Sequence, residues 1–190
     1  MEFTIPNILT ISRIIAAPLV AVMFLIFDRM EAQWIAFWIF SIAAITDFFD
    51  GWLARRWGQV SGFGRMLDPI ADKAMVVIAG AVLTNLYDMR GVVLIPIVLI
   101  LLREVMISGL REYLKGAQIL DVTFMAKIKT TVQLLAIGAL FLAGPLIGPK
   151  GDIVLYAGYG LLWLAAFLTV ATGWDYFRKG VAHIRATEGS

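Results

Sequence analysis

The sequence predicts an all-α integral membrane protein of six transmembrane helices with a cytoplasm-facing polar cavity, and three observations predict it. The 190 residues are 61% hydrophobic with a mean hydropathy of +0.86, too apolar for an ordinary soluble domain. The apolar residues fall into six runs of membrane-crossing scale. Basic residues gather in alternate connections between those runs, the asymmetry that orients membrane proteins. A single domain over residues 1–190 is expected, because the chain shows no repeat, low-complexity stretch or long linker.

The first segment, Asn7 to Phe27, follows Met-Glu-Phe-Thr-Ile-Pro. That leader lacks the positive region of a signal peptide and is expected to stay in the mature protein. Arg13 lies one turn from Thr10, so this end of the helix is expected at the interface or turned toward a polar cavity. The second segment, Gln33 to Asp50, continues as an amphipathic end through Arg55 and Arg56. The third, Pro69 to Leu86, is expected to open with Pro69 in its first turn, where a missing N–H costs no helical bond. The fourth, Val92 to Leu114, carries Arg103, Glu104, Arg111 and Glu112 in its second half. The fifth runs from Thr123 to Ala143 with Lys127 and Lys129 at its start, and the sixth, Ile153 to Tyr176, precedes a basic tail holding Arg178, Lys179 and Arg185.

The connections after segments two and four, the C-terminal tail and the adjoining helix ends hold Arg55, Arg56, Arg65, Lys73, Arg111, Lys115, Lys127, Lys129, Arg178, Lys179 and Arg185. Opposite them stand only Arg29, Arg90 and Lys150. The positive-inside rule therefore places both termini in the cytoplasm. The net charge of +2 and pI near 9.0 are mild. They are read as topology and lipid-surface signals, and no nucleic-acid partner is expected.

The chemistry is expected on the same side, at Asp47, Asp50, Asp68 and Asp72. Ionised carboxylates near a bilayer are too costly to be incidental. Asp47 and Asp50 are three apart and Asp68 and Asp72 four apart, so each pair shares one face of a helix. Four converging carboxylates need compensating charge, which two divalent cations supply. With no cysteine and a single histidine, His183, the ligands are oxygens, which favours Mg²⁺ or Mn²⁺. Paired cations of this kind grip a phosphoryl or pyrophosphate group. Gly51 and Ala54 leave little bulk beside Asp50, Arg55 can fork onto a phosphate, and Gly58, Ser61, Gly62 and Gly64 read as a small-residue loop with backbone donors.

The pattern D-x2-D-G-x2-A-R-x8-G-x3-D-x3-D is satisfied at Asp47, Asp50, Gly51, Ala54, Arg55, Gly64, Asp68 and Asp72. It resembles the signature of the CDP-alcohol phosphatidyltransferases. Ile5 to Arg13, Arg103 to Glu112 and Lys127 to Thr131 add a resemblance to the branch of that family whose acceptor is sn-glycerol 3-phosphate. The resemblance implies a six-helix membrane enzyme, a homodimer, that joins CDP-diacylglycerol to the acceptor and releases CMP at a cytoplasmic active site. It implies that Asp47, Asp50 and Asp68 bind one metal, that Asp47, Asp68 and Asp72 bind the other, and that Asp72 takes the proton of the attacking hydroxyl. It implies that Gly51, Ala54, Arg55 and Ser61, with Thr10 and Arg13, bind CDP-diacylglycerol. An acceptor phosphate needs further cations, and Arg111, Lys127 and Lys129 lie at the same level of the expected topology.

Blander readings stand beside these. Arg111, Lys127 and Lys129 also suit topology or lipid headgroups, and Arg103 with Glu104 suits a structural ion pair. His183 is expected to be a tail residue, the tryptophans and tyrosines to be interface anchors and packing, and Gly138, Ala139, Gly158 and Gly160 to permit close helix packing. Other acceptors (phosphatidylglycerol, serine or an inositol phosphate) remain open within the family. A divalent-cation transporter would line a pathway through the bilayer, whereas these aspartates gather at one side. An intramembrane prenyltransferase would be expected to carry its aspartate pairs on well-separated helices.

Overall fold

The computed structural model describes residues 4–57, 62–114 and 124–188. Six helices form: α1 (Ile5–Ile26), α2 (Arg29–Trp57), α3 (Gly62–Leu86), α4 (Gly91–Tyr113), α5 (Phe124–Ala143) and α6 (Pro149–Glu188). Segments four and five begin and end within a residue of expectation, whereas α1 starts two residues early, α2 and α6 each start four residues early, and the start of α3 and the end of α6 differ more. α2 starts at Arg29, leaving two residues after α1. α3 starts at Gly62, so Gly62 and Gly64 are helical rather than loop, and Pro69 sits inside the helix rather than in its first turn. There the ring lacks the N–H that would bond the Arg65 carbonyl, a loss that a membrane helix with packed neighbours tolerates. Gly58 and Ser61 lie outside the described residues. α6 runs through the basic tail to Glu188, a helix of 40 residues and about 60 Å at 1.5 Å per residue.

α1 over Asn7–Ile26, α4 over Gly91–Tyr113 and α6 over Pro149–Arg185 are long and apolar enough to cross a membrane, and α5 holds a shorter apolar stretch, Ile128–Ala143. α1 packs against α2 and α3, and α6 against α4 and α5. The two groups meet where α2 touches α5 and where α3 touches α4 and α5. Small side chains fill the contacts: Ala36, Ala136 and Ala165 are fully buried around Phe40, Leu83, Val93, Leu140 and Phe141. Large apolar side chains such as Leu25, Val105 and Phe167 point outward. Apolar side chains on the outside are what lipid contact produces, and the small residues let the helix backbones approach closely.

Contacts linking Arg13 to Asp47 and Asp72, Lys73 to Ser108, Lys129 to Glu104 and Arg103 to Tyr176 bring the starts of α1, α3 and α5 and the ends of α2, α4 and α6 to one end of the bundle. The opposite end is closed by polar and aromatic contacts. Arg29 donates to the Leu86 carbonyl, Tyr87 to the Leu140 carbonyl at 2.8 Å, and the Trp163 ring to the Val92 carbonyl at 3.1 Å. Tyr87 and Tyr159 meet edge to face. Burial, reinforced by Tyr159, pushes the Tyr87 hydroxyl up to about 12, so it stays a donor. Gly158 fits its expected packing role, because a Cβ there would meet Leu140 Cδ2 at 2.9 Å. Gly160 does not, since nothing lies within 4 Å of the same position.

Candidate active site

Thr10 and Arg13 are three apart on α1 and face the crevice between α2 and α3. Both are buried, Arg13 to 3% exposure. Arg13 Nη1 donates to Asp47 Oδ1 and, at 2.7 Å, to Asp72 Oδ1, while Nη2 lies 3.8 Å from Asp68 Oδ1. Thr10 Oγ1 donates to Asp68 Oδ1 at 2.8 Å. One guanidinium therefore draws together carboxylates from the end of α2 and the start of α3. The cation is deep and the acids are shallow, with side-chain exposures of 42% for Asp47, 50% for Asp68 and 55% for Asp72. Ligands arriving at this end of the bundle would meet carboxylates first.

Three carboxylates facing one guanidinium leave the cluster electronegative, and the side-chain atoms in it with lone pairs for a metal are all oxygens. That chemistry fits hard divalent cations. Among the described residues no group of three or more acidic, histidine or cysteine side chains closes into a ready metal site. The side chain of Asp50, the fourth expected ligand, lies outside the described residues, as do those of Ala54, Arg55 and Lys127; Gly51 and Ala54 belong to α2.

A second polar cluster occupies the same end of the bundle, built from α3, α4, α5 and α6. Lys129 of α5, 5% exposed, donates to Glu104 Oε1 of α4, and Arg103 donates to the same oxygen at 3.1 Å. Lys73, next in sequence to Asp72, donates to Ser108 Oγ. Ser108 in turn bonds the Glu104 carbonyl at 2.6 Å. The guanidinium carbons of Arg103 and Arg111 each lie 5.8 Å from the centroid of the Tyr176 ring on α6.

Of the expected cradle of Arg111, Lys127 and Lys129, two side chains are described. Lys129 turns inward onto Glu104, Arg111 stays exposed beside Tyr176, and Arg103 and Lys73 join them. Arg103 with Glu104, read from sequence equally as a structural pair or as part of the site, proves to be the hinge of a larger charged network. Tyr176 was taken as packing. Its sequence signal was the pair of glycines, Gly173 and Gly180, that flank it at helical spacing. His183, expected in a polar tail, is half-buried on α6.

Together the fold and these clusters define an integral membrane protein whose polar chemistry is concentrated at one end of a helical bundle. The family model for CDP-alcohol phosphatidyltransferase matches residues 3–171, and the chain belongs to that family. The chain is 46% identical over 218 residues to a Cereibacter sphaeroides protein, covering 97% of this chain and 99% of the relative. It is 43% identical to one from Rickettsia bellii, covering 94% and 96%, and 44% identical to one from Salmonella choleraesuis, covering 90% and 91%. All three relatives carry the name CDP-diacylglycerol–glycerol-3-phosphate 3-phosphatidyltransferase.

Proposed function

We propose that this chain transfers the phosphatidyl group of CDP-diacylglycerol to sn-glycerol 3-phosphate, giving phosphatidylglycerophosphate and CMP in phospholipid biosynthesis. The observation that carries the reading is the convergence of Asp47, Asp68 and Asp72 on Arg13 at the bundle end where α4 and α5 present their cations. The name shared by relatives that align along nearly the whole chain supports the same substrates.

In this mechanism the C1 hydroxyl oxygen of sn-glycerol 3-phosphate attacks the phosphorus that carries diacylglycerol. A new P–O bond forms, the bond to CMP breaks, and Asp72 accepts the hydroxyl proton. Asp47, Asp50, Asp68 and Asp72 hold two divalent metal ions, Mg²⁺ or Mn²⁺, which when bound neutralise the phosphates and the leaving oxygen. Thr10 and Arg13 fix the carboxylates from below, and Arg13 lends its charge to the CDP-diacylglycerol side. Gly51 and Ala54 admit the nucleotide close to the α2 backbone, with Arg55 and Ser61 as its polar contacts. Arg111, Lys127 and Lys129 serve the acceptor phosphate, joined by Arg103 and Lys73. Glu104 holds Lys129 and Arg103 against their mutual repulsion.

All six helices cross the bilayer in this reading. Both termini and the aspartates face the cytoplasm, at the inner membrane if the cell is bacterial, and two copies pair as a homodimer. The test is CMP release by the purified protein in detergent with CDP-diacylglycerol, Mg²⁺ and a panel of acceptors. CMP release with sn-glycerol 3-phosphate well above that with phosphatidylglycerol, serine or inositol phosphate is expected. Preference for another acceptor would move the chain elsewhere in the family, and Mg²⁺ flux into vesicles without CMP release would favour the transporter.

A further inference from the structure

α6 presents one buried stripe to α4. Thr169, Gly173, Tyr176 and Gly180 recur at helical spacing, and all four are buried. The two glycines decide how close the helices come. A Cβ on Gly173 would meet Arg103 Cγ at 2.7 Å, and one on Gly180 would meet Leu110 Cδ1 at the same distance. With no side chain at either position, the Tyr176 ring between them is pressed onto α4, where it meets two guanidiniums at once.

Arg103 and Arg111 are eight residues apart on α4, about 12 Å along its axis, and without a common partner their like charges would drive their tips apart. Each is attracted to the face of an aromatic ring, and stacking fixes the plane of a guanidinium while leaving its N–H edge available. Arg103 spends one such donor on Glu104, which also takes Lys129. The ring is thus the common surface that sets two cations in one arrangement beside a third.

We infer that Tyr176 is a positioning residue for the acceptor. Its buried ring presets Arg103 and Arg111 as a pair for the phosphate of sn-glycerol 3-phosphate. The inference rests on the proposed acceptor role of Arg111 and Lys129. Presetting matters because a phosphate that must first gather two mobile, mutually repelling arginines loses affinity to their ordering. It also places the C-terminal half of α6 in the substrate machinery.

The full-length protein in detergent carries the test. Tyr176→Phe keeps the ring and should leave the KM for sn-glycerol 3-phosphate within about 2-fold of the parent, whereas Tyr176→Leu removes it and should raise that KM about 10-fold, the scale of one or two cation–π contacts. The KM for CDP-diacylglycerol should stay level, and inhibition by inorganic phosphate should weaken in parallel with the acceptor KM. Gly173→Ala, which crowds Arg103 and leaves the ring, should raise the acceptor KM in the same selective way. If Tyr176→Leu yields no folded protein, Tyr176→Met, which fills more of the space and has no ring face, decides the matter by the same KM comparison. Equal rises in both KM values, or damage by Phe as large as by Leu, would overturn the inference. Arg111→Ala separates the two levels: an unchanged acceptor KM in that variant removes the acceptor reading itself. A raised value there with a normal one in Tyr176→Leu removes only the role of Tyr176.

Discussion

Replacing Glu104 by alanine should destabilise the protein more than its position near the bundle end suggests. Glu104 is the shared anion of Lys129 and Arg103, whose side chains are 6% and 12% exposed. Its removal leaves two buried cations facing each other with neither neutralised. Breaking a buried pair by deleting one partner costs about 3–5 kcal/mol, because the remaining charge stays buried without compensation. For a chain of this size, roughly 2–4 °C of unfolding temperature accompanies each kcal/mol, so a fall of about 6–20 °C is expected. Thermal unfolding of parent and variant in the same detergent measures it. The double variant Glu104→Ala, Lys129→Met removes the stranded ammonium and should recover a large part of the loss, giving a coupling of about 1 kcal/mol or more between the two positions. A shift under about 2 °C in Glu104→Ala, or strictly additive losses in the double variant, would show that water reaches the pair and that the buried network is not what holds α4 to α5.

Three further outcomes follow from the aspartate cluster. Asp47→Ala or Asp68→Ala should abolish Mg²⁺-dependent CMP release, and turnover near the parent level in either would remove the metal assignment. Asp72→Asn keeps a neutral oxygen but no proton acceptor, so CDP binding by calorimetry should persist while kcat falls by about 100-fold or more; equal losses of binding and rate would make Asp72 structural. Arg13→Gln removes the cation from among three carboxylates and should lower the unfolding temperature in EDTA. Added Mg²⁺ should then raise it more in the variant than in the parent, because the metal supplies the missing charge, and an equal rise in both would argue that Arg13 and metal do not answer the same electrostatic need.

The aspartates were legible because their spacing is local: three- and four-residue intervals place side chains on one helix face before any tertiary structure is known. The expectation that the cluster faces the cytoplasm rests on basic residues whose asymmetry is likewise a property of the linear chain. Helix ends were less legible. Pro69 looked like a start because proline favours a first turn, yet neighbouring helices let α3 continue back to Gly62. The end of α6 was placed where the apolar run stops, but helix formation and bilayer crossing have different requirements, and the basic stretch remains helical. Partner choice was not legible at all. Nothing in the order of residues says that Arg13 meets Asp47 and Asp72 across 34 and 59 positions, or that Lys129 turns toward Glu104.

Fully buried alanines at the helix contacts, and large apolar side chains facing outward, change the usual map of which substitutions a chain can absorb. In a water-soluble domain, trimming a large buried side chain is the damaging change and surface positions accept almost anything polar. Here Ala36, Ala136 and Ala165 stand where any enlargement forces two backbones apart, while Leu25, Val105 and Phe167 can exchange among apolar residues of different shape because fluid acyl chains refill the space. Variation among such proteins would then concentrate in the size and shape of their outward side chains. Smallness would be the property held fixed at the alanine contacts, beside large buried side chains such as Phe40 and Phe141.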